Sequence, residues 1–178
     1  VNGKKIVVKD GFEFIRDVFV IDSFNLQEIS GRRLFFYNTV IFSENIDKIP
    51  ETIFKNCVFS SNVIVSSEFT GNGMFAGIPF DRLFPVKSRL FMIDDIIEIE
   101  KSFFEEVNEP VNIYVKDDLE FSGDISNDIL EKKIGYIFNT GMITCSSSQL
   151  PVIRQKIRID QGMLVKGSKE MNCSFVRL

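Results

Sequence analysis

Histidine and tryptophan are absent from this sequence of 178 residues, and Ala76 is its one alanine. Without histidine there is no Ser-His-Asp or Cys-His catalytic group, no histidine-ligated zinc or haem, and no histidine-based pH switch. Glycine and proline number 11 and 5, which excludes collagen-like and low-complexity classes. The length predicts a single domain over residues 1–178. We expect this domain to be soluble and to act without a cofactor.

The cysteines are few and widely spaced, at Cys57, Cys145 and Cys173, and no Cys-x-x-Cys pair occurs. Such cysteines are interpreted as buried, reduced thiols that hold no metal. Reduced thiols favour a reducing compartment, so the predicted localisation is cytoplasmic. The first residues also lack the apolar run of a signal peptide. Because the sequence does not begin with methionine, a leader removed earlier stays an open alternative.

Neither a membrane nor a nucleic acid is predicted as a partner. No apolar run approaches the 18 or so residues of a membrane-spanning helix, so we predict no membrane partner. The net charge is −4, and the densest basic stretch, residues 154–169, is interrupted by Asp160. Because a basic stripe that follows a phosphate backbone is missing, we predict no nucleic-acid partner.

The sequence is rich in β-branched and aromatic residues, with 23 isoleucines, 19 phenylalanines and 16 valines. These residues fit pleated surfaces and therefore favour strands. We predict strands over residues 34–42, 111–115, 136–145, 157–159 and 163–165, and a segment of strand and turn over residues 57–65. Apolar spacing predicts a helix over residues 95–107 and a short one over residues 49–54. Two further short helices are predicted, one capped by Ser126 and ending at Lys133, and one capped by Ser148 over residues 150–156.

Short stretches recur at intervals of 21 to 23 residues. The matched pairs are Val40-Ile41 with Val63-Ile64, Lys133-Ile134 with Lys156-Ile157, and Gly141-Met142 with Gly162-Met163. A longer pattern, apolar-x-apolar-x-x-Asn-x-apolar, fits residues 57–64 in full and other places in part. Its asparagine position falls at Asn38, Asn62, Ser88, Asn112, Asn139 and Gly162.

This pattern resembles the leucine-rich-repeat family over residues 33–165, with isoleucine and phenylalanine in place of most leucines. Units of that family run about 20–29 residues. The segment 49–56 also looks like the one that often precedes the core of such a repeat. The resemblance implies a strand-rich α/β solenoid of irregular units, in which each unit buries its apolar side by stacking on its neighbours.

In such a solenoid, the residues between the inward apolar positions of each strand face the concave surface. The resemblance therefore implies an exposed binding face that includes Phe36, Tyr37, Ile137, Phe138 and Arg158. Exposed aromatic side chains beside charges are typical of protein interfaces. The predicted function is a non-catalytic protein-interaction domain whose partner is another protein.

Alternatives stay open for both fold and function. The fold alternatives are a single non-repeating α+β domain and a parallel β-helix. One functional alternative is a carboxylate-based enzyme, such as a glycoside hydrolase that uses two of Asp94, Asp95, Asp117 and Asp118. The other is a structural subunit that forms a homo-oligomer through its exposed end strands. The acidic residues from Asp94 to Glu100 are interpreted as the start of a helix rather than a cation site.

Overall fold

The computed structural model describes residues 11–167. The chain divides into two compact units, Val1–Lys87 and Ser88–Leu178. The prediction of a single domain over residues 1–178 stays a prediction beside this division.

The first unit contains two parallel sheets and short helices. Its strands are β1 Glu13–Ile15, β2 Phe19–Ile21, β3 Leu34–Phe36, β4 Val40–Phe42, β5 Cys57–Phe59, β6 Val63–Ser66 and β7 Leu83–Val86. Its helices are α1 Leu26–Ser30 and α2 Glu51–Asn56, with 3-10 turns at Ser67–Asn72 and Phe80–Arg82. One sheet has the order β1-β3-β5 and the other β2-β4-β6-β7, so alternate strands of the sequence pair with each other, except that β7 pairs with the strand directly before it.

The second unit follows the same alternation with longer strands. Its strands are β8 Leu90–Ile93, β9 Ile97–Ile99, β10 Val111–Val115, β11 Asp118–Phe121, β12 Ile134–Asn139, β13 Met142–Cys145, β14 Ile157–Asp160 and β15 Met163–Lys166. Its helices are α3 Lys101–Glu106, α4 Asn127–Lys133 and α5 Leu150–Lys156. The sheets have the orders β14-β12-β10-β8 and β15-β13-β11-β9.

The predicted strand-rich α/β class is confirmed, because the described strands pair in parallel and short helices connect them. In the described part of the chain, no helix is long and apolar enough to cross a membrane. The longest of these helices, such as α4, have seven residues.

The predicted helix over residues 95–107 is wrong in its first half. Residues Ile97–Ile99 form strand β9, and α3 covers Lys101–Glu106. The apolar spacing misled because Ile97 and Ile99 alternate as strand residues, and Ile99 packs in the core beside Phe104 of the helix. Of the acidic residues from Asp94 to Glu100, the first two therefore lie on a turn and Glu98 on strand β9, and only Glu100 adjoins a helix, as the N-cap residue of α3.

The other short helices are confirmed, and one of the two predicted caps is present. The Ser126 side chain accepts a hydrogen bond from the backbone N–H of Ile129, at the start of α4. Helix α5 instead begins after Gln149, and the Ser148 hydroxyl lies beside that of Ser146. Two predicted long strands, residues 34–42 and 136–145, are each divided in two by a corner.

Each unit has its own apolar core, formed by the inward side chains of both sheets and by the helices. In the first unit, Leu34, Phe36 and Val63 are among the core residues. In the second unit, Ile113, Ile137 and Ile153 are fully buried. A single strand pair exposes one apolar side, so burial depends on stacking of one pair on the next.

Cys57 lies in the first core, and its thiol gives a pH-dependent contribution to stability. Burial raises the pKa of Cys57 from its ordinary value near 9 to about 11. The unfolded thiol therefore ionises first, so stability present below pH 9 is lost as the pH rises toward 11. We expect the free energy of unfolding to fall by up to about 3 kcal/mol from this group. Urea unfolding at several pH values between 8 and 11 measures this decrease in the free energy of unfolding. Cys57→Ala should make the free energy of unfolding depend less steeply on pH. An unchanged pH dependence in that variant would contradict the assignment of the effect to Cys57.

Candidate interaction surfaces

Three of the five predicted face residues are buried, so their predicted exposure is wrong. Phe36 is 1% exposed, and Ile137 and Phe138 are both at 0%. Phe36 points into the first core, where its ring stacks on Phe59 with a centroid separation of 5.3 Å. Ile137 belongs to the second core, while Phe138 lies outside that cluster and contacts the ring of Tyr136. The predicted alternation of inward and outward side chains was therefore displaced by one residue at Phe36 and at Ile137.

Tyr37 and Arg158 are exposed, as predicted. Tyr37 follows strand β3 and is 54% exposed. Its ring lies 4.8 Å from Phe35 and 5.8 Å from Phe14, a residue that the sequence reasoning missed. Phe14 pairs with Phe35 in the sheet, on the face opposite the first core, and is 50% exposed. Phe14 and Tyr37 are therefore exposed rings packed on the buried ring of Phe35, which is 2% exposed.

In the second unit, two consecutive irregularities in the strand register lie beside each other. Between Val111 and Ile113 of β10 there is one residue, whereas the paired stretch of β12 from Ile134 to Ile137 has two. The next pair of strands is irregular too, since Ile137 pairs with Ile157 but Phe138 pairs with Ile159, which leaves Arg158 as the additional residue. Such bulges redirect side chains and are frequent near functional sites.

These bulges bring Tyr136 and Arg158 together at the surface. The Arg158 guanidinium carbon lies 4.7 Å from the centroid of the Tyr136 ring, and both side chains are exposed. A guanidinium over an aromatic face is attracted by the ring quadrupole. Within residues 11–167, no ion pair holds Arg158. The stacked cation therefore keeps its N–H donors available. We call this pair the Tyr136–Arg158 patch.

A buried asparagine fixes the backbone beneath this patch. Asn112, 2% exposed, accepts a hydrogen bond from the backbone N–H of Tyr136 at 3.0 Å. Its amide nitrogen donates to the backbone oxygen and the hydroxyl of Ser88 at 2.9 and 3.1 Å. A Cβ at Gly135 would lie 2.8 Å from Oδ1 of the Asn112 side chain. The absence of a side chain at Gly135 therefore permits the bond from the Tyr136 N–H to Asn112. The bulge is thus tied to β10 and, through the Asn112 side chain, to the segment that precedes β8, which positions the Tyr136 backbone.

Three carboxylates of the enzyme alternative lie on exposed corners between strands, and the fourth, Asp118, is the half-buried first residue of β11. Asp94 and Asp95 follow β8, and Asp117 follows β10 on the neighbouring strand pair. The Asp95 carboxylate accepts the backbone N–H of Ile96 at 2.8 Å, as a turn residue does. Among the described residues, no three Cys, Asp or Glu side chains come close enough to hold a metal ion.

Sequence reasoning missed Tyr136 and Phe14, although one signal for Tyr136 was present. The asparagine pattern lengthens between Asn112 and Asn139, the widest interval in the series. An irregular interval within a repeat is where a bulge is expected, and β12 carries one there. No comparable signal marks Phe14.

No protein-family model matches the chain, and neither a curated protein nor a solved structure is similar enough to count as a match.

Proposed function

We propose that the chain is a non-catalytic protein-interaction domain, built in each unit as a leucine-rich-repeat-like solenoid. The observation that carries the binding role is the Arg158 guanidinium stacked on the exposed Tyr136 ring. Tyrosine and arginine are the residue types that most often dominate binding energy at protein interfaces. The arrangement recognises a partner that presents a carboxylate beside an apolar side chain.

The register of the sheets supports the solenoid. Leu34 pairs with Cys57, Leu119 with Ile143, and Met142 with Met163, at spacings of 23, 24 and 21 residues. Those spacings lie within the range of about 20–29 residues for leucine-rich repeats. A side chain also joins the first two helices, since the Asn56 amide at the end of α2 donates to the Ser30 backbone oxygen at the end of α1, at 2.7 Å.

Rigidity supports binding by the Tyr136–Arg158 patch. A side chain on a fixed backbone loses less conformational entropy on binding than one on a mobile loop. Asn112 holds the Tyr136 backbone, and the Tyr136 ring orients Arg158. The patch is therefore partly organised before a partner arrives.

Site-specific photo-crosslinking tests this function. A p-benzoylphenylalanine in place of Tyr136 should form a defined protein adduct in extracts of the source cells. The same group in place of Phe24, whose side chain is 89% exposed, should not form that adduct. Mass spectrometry of the adduct identifies the partner.

The partner's affinity then decides between specific and incidental contact. With the purified partner, Arg158→Ala should weaken binding about tenfold or more, since truncating an interface anchor costs on the order of 2 kcal/mol. Arg16→Ala, at another exposed arginine, should leave binding unchanged. Equal adducts at positions 136 and 24, or equal affinities for both arginine variants, would refute the proposed patch.

A further inference from the structure

Strands β9 and β15 lie at opposite edges of one parallel sheet in the second unit. Within residues 11–167, each of them pairs with a strand on one side only. An edge strand presents unpaired backbone N–H and C=O groups, which are a template for another strand. Both edges also expose apolar side chains, at Ile96 and Met163.

We propose that the β15 edge of one copy of this chain receives the β9 edge of a second copy, so that the sheet continues in parallel from chain to chain. This inference is independent of the Tyr136–Arg158 patch. Because the two edges differ, the contact is head-to-tail, and each copy keeps one edge open for the next.

The backbone groups of the two edges are complementary in one register. The N–H groups of Met163 and Gly167 donate to β13, at Gly141 and Cys145, so the alternate residues Leu164 and Lys166 direct their backbone groups outward. On β9, Ile99 accepts from Ser122 of the neighbouring segment, so Glu98 directs its groups outward.

The register of the existing sheet can be carried across the contact. In that sheet Ile97 pairs with Leu119, Leu119 with Ile143, and Ile143 with Leu164. One further step puts Ile97 of the second copy beside Leu164. The Glu98 N–H then faces the Leu164 carbonyl, and the Lys166 N–H faces the Glu98 carbonyl, which is the bonding pattern of a parallel pair.

Side chains agree with the same register. It puts Ile96 of the second copy beside Met163, and these residues are 79% and 62% exposed in the single chain. They are the two most exposed of the large apolar side chains described in the second unit. The contact would cover both, and removal of apolar surface from water is favourable.

The charges of the two edges are opposite. Residues 94–131 contain 13 acidic and two basic side chains, whereas residues 132–167 contain six basic and one acidic. Strand β9 lies in the acidic segment and β15 in the basic one. Complementary charge favours head-to-tail contact over contact between two like edges.

Sedimentation velocity of the 178-residue chain over a wide concentration range tests the inference. We expect the average mass to rise from 20.4 kDa past that of a dimer as concentration increases, because the contact leaves an open edge. A chain that stays monomeric, or one that stops at a dimer, would overturn the inference.

Two charge substitutions test the register. Met163→Lys and Ile96→Glu should each weaken association about tenfold or more, since each sets an unpaired charge against an apolar side chain. An equal mixture of the two variants should associate again, through a lysine–glutamate pair at one contact and the native pair at the next. Phe24→Lys, at another exposed site, should associate as the native chain does.

Each outcome of these experiments supports or refutes the proposed register. Native-like association of either single variant, or a mixture that stays dissociated, refutes the Ile96–Met163 register. Because both positions are exposed, thermal melting should show that the variants remain folded.

Discussion

Replacing Gly141 with alanine is expected to lower the free energy of unfolding by about 3 kcal/mol or more. Overpacking a tight site costs about 1–3 kcal/mol, and more where the neighbour cannot move. A Cβ at this position would lie 1.9 Å from the backbone oxygen of Asp117 and 2.6 Å from that of Lys116. Both are backbone atoms, so no side-chain rotation relieves the contact.

The backbone around Gly141 is held by hydrogen bonds on both sides. Its N–H donates to Val115 at 3.0 Å, and the Asp117 oxygen that a methyl group would strike accepts from Met142 at 2.9 Å. Its own carbonyl accepts from Met163 at 2.8 Å. Shifting the corner to make room would therefore weaken bonds that join three successive strand pairs.

Thermal and urea unfolding of Gly141→Ala measure the effect. A loss of about 3 kcal/mol corresponds to a fall in Tm on the order of 10 °C for a protein of this size. Gly77→Ala is the matched control, because a Cβ there meets nothing within 4 Å, and it should unfold like the native chain or slightly later. An unchanged Tm for Gly141→Ala would show that the corners are not closely stacked.

The strand pairing also explains which matches between short stretches of the sequence gave the correct register. Val40 and Val63 are direct neighbours in one sheet, and Met142 and Met163 are neighbours in another. Val40 and Val63 are inward positions of the first core, and stacked inward positions require similar apolar residues. Met163 is 62% exposed, so burial does not explain the second match. These two short matches, read at their own spacings, nevertheless gave the correct register.

The asparagine pattern gave the wrong register because it assumed one strand in each unit of the repeat. Asn112 lies opposite the Gly135–Tyr136 bulge and bonds the Tyr136 N–H, while Asn139 pairs with Val115 and Asp160. The match of Ile134 with Ile157 is displaced as well, since Ile157 pairs with Ile137. Bulges add single residues to individual strands, and composition carries no record of them.

The candidate face was harder to predict than the fold for a related reason. A shift of one residue moves a strand's side chains to the opposite face, so a small error in register exchanges buried and exposed positions. Phe36 was assigned to the surface, whereas its neighbour Phe35 faces away from the first core. Arg158 was assigned to the surface correctly, and charge alone favours that position.

The second large effect is expected at Gln149, which joins two successive strand pairs through a buried side chain. Its amide nitrogen donates to the backbone oxygens of Ser122 and Ile125 at 2.8 and 2.9 Å. Its oxygen accepts from the Ser146 N–H at 2.9 Å, and the residue is 1% exposed. Gln149→Ala leaves the Ile125 oxygen and the Ser146 N–H without this partner, whereas the Ser122 oxygen keeps its bond from the Ile125 N–H. Each unpaired buried group costs about 1–3 kcal/mol. We expect a loss of about 3 kcal/mol or more in urea unfolding.

A substitution of nearly the same size separates hydrogen bonding from packing at this position. In Gln149→Glu the carboxylate keeps the bond from Ser146 but faces two carbonyl oxygens to which it cannot donate. The folded state then favours the protonated carboxyl, so its pKa is raised and stability falls as the pH rises through that value. The free energy of unfolding of Gln149→Glu should therefore recover as the pH falls toward 4, whereas that of Gln149→Ala should not. Gln161→Glu, the same change at an exposed site, should unfold like the native chain. If Gln149→Glu matched that control at pH 7, the Gln149 amide would not be joining the two strand pairs, and stacking of the second unit would depend on its apolar side chains alone.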